Sequence, residues 1–227
     1  RVSLDYCKAH GITVYNAGGV YSAPMAEFVL GDILQLYKES KFFAENQAAH
    51  RWEKHRGLRE LSGKTACIIG TGSVGSAIAR RLRAFDVQTV GINRSGHPAA
   101  EFDQTQPTCR LDDLLPLADL VICAMPLTAE TAGLFDSVRL AKIKPGAVFV
   151  NVARGKVADQ QSLAEALQSG QLSGAVLDVF EEEPLPRSSP LWEMEQVILT
   201  PHNSFVGEHN GERLFRLICK NLESFAQ

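Results

Sequence analysis

"ACIIGTGSVGSAIARRL" (residues 66–82) reads as three elements in succession: an apolar run, a glycine-rich turn and a helix. Gly70, Gly72 and Gly75 form the pattern GxGxxG, weak as a string but physical where it follows a strand and opens a helix. In that setting Gly70 permits the tight turn, Gly72 lets a pyrophosphate approach the backbone, and Gly75 lets helix and strand pack closely. Ser73 and Val74 lie in this turn, ahead of a helix whose free N–H groups and partial positive charge favour an anion. The expected ligand is a dinucleotide.

Outward from this turn, the chain alternates strand and helix. Strands are expected near 65–69, 88–92, 107–109, 120–124, 146–151, 174–179 and 196–200, and helices near 74–84, 111–117, 137–143 and 159–169. Runs such as "AVFVNV" and "LVICAM" are near-continuously apolar, as in a parallel sheet covered on both faces. The expected fold class is α/β, a doubly wound, mostly parallel sheet of Rossmann type with about seven strands. Upstream, "ITVYNAGG" (12–19) reads as a short strand and turn. A helical pattern then starts at Pro24 and continues through "ESKFFAENQAAHRW", long enough to bridge two domains. The tail "GERLFRLICKNLESFAQ" (211–227) is an amphipathic helix with Leu214, Ile218, Leu222 and Phe225 on one face.

The length of 227 residues allows one large α/β domain or one and a half ordinary ones. With 23 basic and 26 acidic residues the net charge is −3, which offers no footprint for nucleic acid or an anionic membrane. The richest apolar run, "LADLVICAMPL" (117–127), contains Asp119 and is too short to span a bilayer. Five scattered cysteines form no CxxC pair, so no metal site is expected and a reducing, cytoplasmic setting is. The chain opens on Arg1 in mid-pattern, which predicts a piece of a longer protein.

The end of the second strand, "TVGINRSG" (89–96), bears on which dinucleotide is bound. An Asp or Glu there would hold the adenosine ribose of NAD. Asn93 stands instead, followed by Arg94 and Ser95. A carboxylate about 4 Å from a 2′-phosphate would cost about 4 kcal/mol at an effective dielectric of about 20. Asn93 removes that repulsion, and Arg94 can form charge-assisted bonds to the phosphate. NADP is the expected cofactor and NAD stays open, with Arg94 as a plain solvated loop residue the competing reading.

Three later stretches lie at strand ends, where ligands bind in open α/β sheets. "FVNVARGKV" (149–157) puts Arg154 just past a strand, with Gly155 easing the turn. "AVLDVFEEEPLP" (175–186) ends a strand at Asp178 and carries Glu181, Glu182 and Glu183 before Pro184. "VILTPHNS" (197–204) leads through Pro201 to His202. Arg154 can clamp a carboxylate bidentately, and His202 can give or take a proton. A carboxylate on the far ring nitrogen would orient the imidazole. Each residue alone has a plainer reading: a loop histidine, a surface cation, a solvated acidic loop, and an Asp178 that caps a local turn. Trp52 and Phe205 are further candidates near the pocket, with plain packing the competing reading for each.

Taken together, "GTGSVG" (70–75), "PLTAET" (126–131), "NVARG" (151–155), "LDVFEEEPLP" (177–186), "SPLW" (189–192) and "TPH" (200–202) resemble the D-isomer-specific 2-hydroxyacid dehydrogenases, across essentially the whole chain. The resemblance implies that Arg154 binds the substrate carboxylate, His202 is the acid/base and Glu183, immediately before the proline, is its partner. It places Asp178 near the nicotinamide carboxamide, and Val74, Pro126, Thr128 and Ala153 along the cofactor. Asn93 departs from the family's commonest Asp and resembles its NADP-using members. A substrate domain of roughly a hundred residues is largely missing. Residues 1–22 are then its remnant, 23–205 the dinucleotide-binding domain with its linker helix, and 206–227 a helix that packs on the substrate domain. A homodimer through the nucleotide domain is also implied.

The expected function is hydride transfer between NADP(H) and a small D-2-hydroxy or 2-oxo acid, as in a glyoxylate- or hydroxypyruvate-like reductase. This stretch alone is expected to be weakly active or inactive. The alternative is a dinucleotide-responsive binding module of corepressor type, which resembles the same family. The lack of an added interaction tail and of a basic surface favours the enzyme.

Overall fold

From Thr65 onward every strand pairs in parallel with its neighbours. β1 (Thr65–Ile69), β2 (Gln88–Asn93), β3 (Gln104–Pro107), β4 (Leu120–Cys123), β5 (Ala147–Asn151), β6 (Leu172–Leu177) and β7 (Val197–Leu199) lie in the order β3-β2-β1-β4-β5-β6-β7. β1 pairs with both β2 and β4, so the order reverses there. The reversal opens a crevice beyond the carboxyl ends of these strands. This computed structural model describes residues 2–225, with side chains as far as Glu223.

Both faces of the sheet are covered, which explains the unbroken apolar runs. Along β1, β4 and β5, alternate residues face opposite layers. Ala66, Ile68, Leu120, Ile122, Val148 and Val150 meet α2 (Ser22–Tyr37) and α4 (Ser73–Arg83), whose Val29, Ile33, Ile78 and Leu82 are buried against them. Cys67, Val121, Cys123 and Phe149 face the other layer, built from α5 (Leu111–Leu114), α6 (Ser137–Lys142) and α7 (Gln160–Gln168). There Phe135 and Phe149 meet edge to face at 5.1 Å. Burial pushes the Cys67 thiol up to about 12 and that of Cys123 up as well, so neither is a nucleophile.

Three expectations need correction. The helix expected from Pro24 through residue 52 is two helices, α2 and α3 (Ser40–Ala48), broken at Glu39 in the left-handed region (φ 50°). The cause is a crossing segment. Arg59 N–H donates to the Tyr37 carbonyl at 3.0 Å, the Arg59 guanidinium stacks over the Tyr37 ring, and Lys38 Nζ bonds the Arg59 carbonyl. A continuing helix would have needed that Tyr37 carbonyl for itself. Secondly, β3 occupies 104–107, not 107–109, where a single 3₁₀ turn follows instead. Its register is set by the Asp103 carboxylate, which accepts from both the Thr89 N–H and hydroxyl.

Thirdly, no strand forms in 12–19. Ile12, Val14 and Tyr15 are about half exposed, and β propensity without a partner strand yields no ladder. A short helix that the sequence reading lacked, α1 (Leu4–Ala9), precedes them and is capped by Ser3. α8 (Asn210–Phe225) closes the chain, with Leu214, Phe215, Ile218 and Leu222 between 38% and 67% exposed. The side chain of Phe225, assigned to the same apolar face, lies outside the described residues.

Candidate active site

The glycine turn joins β1 to α4. Gly70 adopts φ 108°, and a Cβ there would fall 2.6 Å from the Ala124 carbonyl at the end of β4. Gly75 packs so closely on the Gly70 carbonyl that any side chain would displace backbone. Gly72 is different: a Cβ would meet nothing, so its space is open toward solvent. It is also the N-cap of α4, and no side chain caps the N–H groups of Ser73, Val74 and Gly75. An open glycine before an uncapped helix N-terminus fits a pyrophosphate.

Beside this turn lies a crevice of about 540 Å³ lined by Met25, Val74, Ala124, Met125, Pro126, Leu127, Val152, Ala153 and Arg154. Its mostly apolar walls suit a flat aromatic ring, and Arg154 stands at its polar end. Of Val74, Pro126, Thr128 and Ala153, expected along the cofactor, the crevice brings together Val74, Pro126 and Ala153, with Arg154 beside them and Thr128 outside its lining. Thr128 lies further along the same loop, where its N–H bonds the Thr131 hydroxyl and its own hydroxyl donates to Glu130 at 2.6 Å.

Asn93 ends β2 with every polar atom of its amide engaged. Nδ2 donates to the Thr71 hydroxyl and the His97 carbonyl, and Oδ1 accepts from the N–H groups of Ser95 and His97. Asn93 thereby ties the 93–97 loop to the glycine turn. Arg94 projects from this loop with its side chain 89% exposed, 3.7 Å from Glu130. Bonds from the Thr128 hydroxyl and from its own backbone N–H, with the Arg94 charge, hold the Glu130 carboxyl below its ordinary value.

At the end of β5, Asn151 braces the Arg154 turn: Oδ1 accepts from Ala153 N–H and Nδ2 donates to the Arg154 carbonyl. Arg154 folds back, its Nη1 bonding the Ala153 carbonyl at 2.6 Å. Gly155 has no unusual φ. It is glycine because its Cα lies directly against the Phe180–Glu181 backbone, leaving no room for a Cβ. This contact joins the Arg154 turn to the glutamate loop.

In that loop Glu183 accepts from Phe180 N–H at 3.1 Å and faces His202 Nδ1 across 2.9 Å. Partial burial opposes ionisation of Glu183, but the bonds from His202 and Phe180 outweigh it and hold its carboxyl below the ordinary value. Glu181 instead caps the first turn of α7 by accepting from Gln160 N–H at 2.7 Å. His202, in the left-handed region at φ 53°, is reached edge-on by Phe205, which meets Tyr21 in the same way. Its other side borders an apolar hollow of about 510 Å³ lined by Phe180, Pro184, Leu185, Trp192 and Leu199. Trp52 is not brought to this site: it stands 96% exposed on the segment after α3.

Asp178 is fully buried and turned inward. Oδ1 accepts from the Thr200 hydroxyl and Asn203 N–H, each at 2.7 Å, and Oδ2 from Ser204 N–H at 3.0 Å. Its carbonyl accepts from His202 N–H at 2.8 Å. Asp178 thus fixes the loop that presents His202, and its carboxylate is spent there. The sequence reading missed Asn151, whose signal is an Asn at a strand end before a turn. It also missed the 200–204 donors, for which no local signal exists. Among the described residues no cluster of His, Cys, Asp or Glu could hold a metal ion, and no helix is long and apolar enough to cross a membrane.

The profile of the family "D-isomer specific 2-hydroxyacid dehydrogenase, NAD binding domain" matches residues 30–204. A glyoxylate reductase of Pyrococcus furiosus is 40% identical over 238 residues, covering 99% of this chain and 69% of that protein. A D-3-phosphoglycerate dehydrogenase of Mycobacterium leprae is 37% identical over 205 residues, covering 89% of this chain but 38% of its relative. Among solved structures, an NADPH-dependent glyoxylate/hydroxypyruvate reductase of Sinorhizobium meliloti, in complex with NADP and sulfate, superposes with a TM-score of 0.80 at 29% identity. That match covers 91% of this chain and 66% of the other.

Proposed function

The chain belongs to the D-isomer-specific 2-hydroxyacid dehydrogenase family, and from that premise we propose that it is the nucleotide-binding part of an NADP-preferring reductase of small 2-oxo acids, glyoxylate- or hydroxypyruvate-like. The observation that carries this reading is the Glu183–His202 pair, 2.9 Å apart, on a loop packed directly against the turn that bears Arg154.

A nicotinamide held along Val74, Pro126 and Ala153 would supply the hydride. Arg154 leaves the Ala153 carbonyl and holds the substrate carboxylate through two parallel hydrogen bonds. His202, with Nδ1 held by Glu183, presents Nε2 to the keto oxygen and protonates it, and in the reverse direction takes the proton back. Glu183 fixes the ring orientation and supports the imidazolium. Asp178 acts from behind by holding the 200–204 loop. Gly70, Gly72, Ser73, Val74 and Gly75 receive the pyrophosphate, while Asn93, Arg94 and Ser95 border the adenosine end.

NADP is favoured by an uncharged Asn93 whose amide is already engaged and by an exposed Arg94 beside it. The NADP-bound Sinorhizobium structure and the Pyrococcus glyoxylate reductase support the cofactor and the substrate class. Residues 1–22 close a substrate domain in this reading, 23–205 bind the dinucleotide, and 206–227 return to the substrate domain. The exposed apolar faces of α1 and α8 support that division. The unit works as a cytoplasmic homodimer through the nucleotide domain.

The test is a side-by-side titration of the chain with NADPH and NADH, repeated with Arg94→Ala. The expected result is NADPH binding tighter by about tenfold or more, with the preference lost in the variant. Equal or tighter NADH binding overturns the NADP reading.

A further inference from the structure

On the sheet face opposite α5–α7, α2 carries a carboxylate with no role in the mechanism above. Asp32 is 6% exposed among Val29, Ile33 and the other apolar residues of its layer. Its Oδ1 accepts from Gln35 Nε2 at 2.6 Å, but its Oδ2 is buried with no hydrogen-bond partner. α2 runs along β6: Leu36 lies against Gly174, Asp32 sits one turn back toward Asp178, and Pro24 reaches Gly207 beyond the His202 loop. Burial first, and then the charge of Asp178, push the Asp32 carboxyl up to about 6.

Among the described residues no cation pairs with it. Of the charged groups on elements packed against α2, Arg81 of α4 pairs with Glu27, Arg83 with Asp103, and Arg80 is exposed. Arg59 stacks over Tyr37 and bonds Ser173, Lys38 bonds the Arg59 carbonyl, and Lys41 of α3 lies beside Glu45 and Glu195. Arg213 bonds the Val20 carbonyl and Asn210. β6 itself bears no charge.

We propose that Asp32 is a positioning residue that must be neutral for Asp178 to hold the 200–204 loop, so that ionising Asp32 loosens the segment that presents His202. An orphaned Oδ2 tolerates a neutral acid better than an anion. A second buried charge on the side of α2 that lies along β6 repels the Asp178 carboxylate. That repulsion weakens the three bonds by which Asp178 grips Thr200, Asn203 and Ser204. The device extends the role proposed for His202, yet its test needs neither cofactor nor substrate, so the failure of one leaves the other standing.

The experiment is amide hydrogen exchange at Asn203 and Ser204 of the chain, from about pH 5 to about pH 7.5, corrected for the intrinsic rise of exchange with pH. In the wild type, protection falls by about tenfold or more across that range. Asp32→Asn keeps the shape without the charge and holds its protection level. The same pH dependence in both proteins overturns the proposal. Should Asp32→Asn fail to fold, carboxyl-carbon NMR of the wild type decides it. A midpoint near 6 that coincides with the loss of protection supports the assignment, and one near the ordinary 3.8 overturns it.

Discussion

Three adjacent glutamates meet three different fates, decided by where each carboxylate finds a donor. Glu181 turns to the open end of α7, Glu182 stays exposed, and Glu183 turns inward to Phe180 and His202. Because Glu183 is held below its ordinary 4.5, its pairing stabilises the fold above that value and is lost as pH falls through the folded one. Denaturant unfolding between about pH 3 and 7 is expected to show wild type ahead of Glu183→Gln at neutral pH. The gap should close in acid. At 37% side-chain exposure, solvent screening keeps that gap small. Function is more sensitive than stability. His202→Gln in the full-length protein is expected to cut 2-oxo acid turnover about a hundredfold or more, and unchanged turnover would remove His202 from the mechanism. The presence of Arg154, Glu183 and His202 at strand ends is legible in the sequence. Which glutamate meets the histidine is legible only through the family resemblance, which points to Glu183, because the pairing joins residues 19 apart through two loops and leaves no local pattern.

Between elements, the contact that counts most for the site is made by backbone alone. Gly155 brings the end of β5 against Phe180–Glu181, and a methyl group has nowhere to go. Gly155→Ala is expected to destabilise the chain by about 1–3 kcal/mol. It should also weaken any ligand held between Arg154 and His202, read by denaturant melts and by binding. A stability unchanged within about 0.5 kcal/mol would show that the two turns separate freely. The sequence shows a glycine after Arg154 and suggests a turn, but the true reason is a neighbour 25 residues on. The split between α2 and α3 has the same origin. Helical periodicity runs through residues 38–40, and only Arg59, arriving from outside the helix, ends it.

Across the whole molecule, stability rests on a sheet buried on both faces. Phe149, fully buried in β5 against Phe135, sits near the middle of one layer. Phe149→Ala is expected to cost about 3–5 kcal/mol, measured as a shift in the denaturant midpoint. A loss below about 1 kcal/mol would mean that the layer collapses into the cavity. The strand–turn–helix at 66–82, the near-continuous apolar runs of β1, β4 and β5 and the placement of polar residues at their carboxyl ends are written in the sequence. They depend on neighbours a few positions apart, where side-chain period and glycine stereochemistry act directly. What tertiary structure alone decided is non-local. The inward turn of Asp178 toward 200–204, the exposed stance of Trp52, the unpaired 12–19 segment and the stranded carboxylate of Asp32 all follow from what packs against each residue. A hydrogen-bond donor or a low-dielectric wall supplied by a distant segment leaves no periodic trace in the chain that receives it.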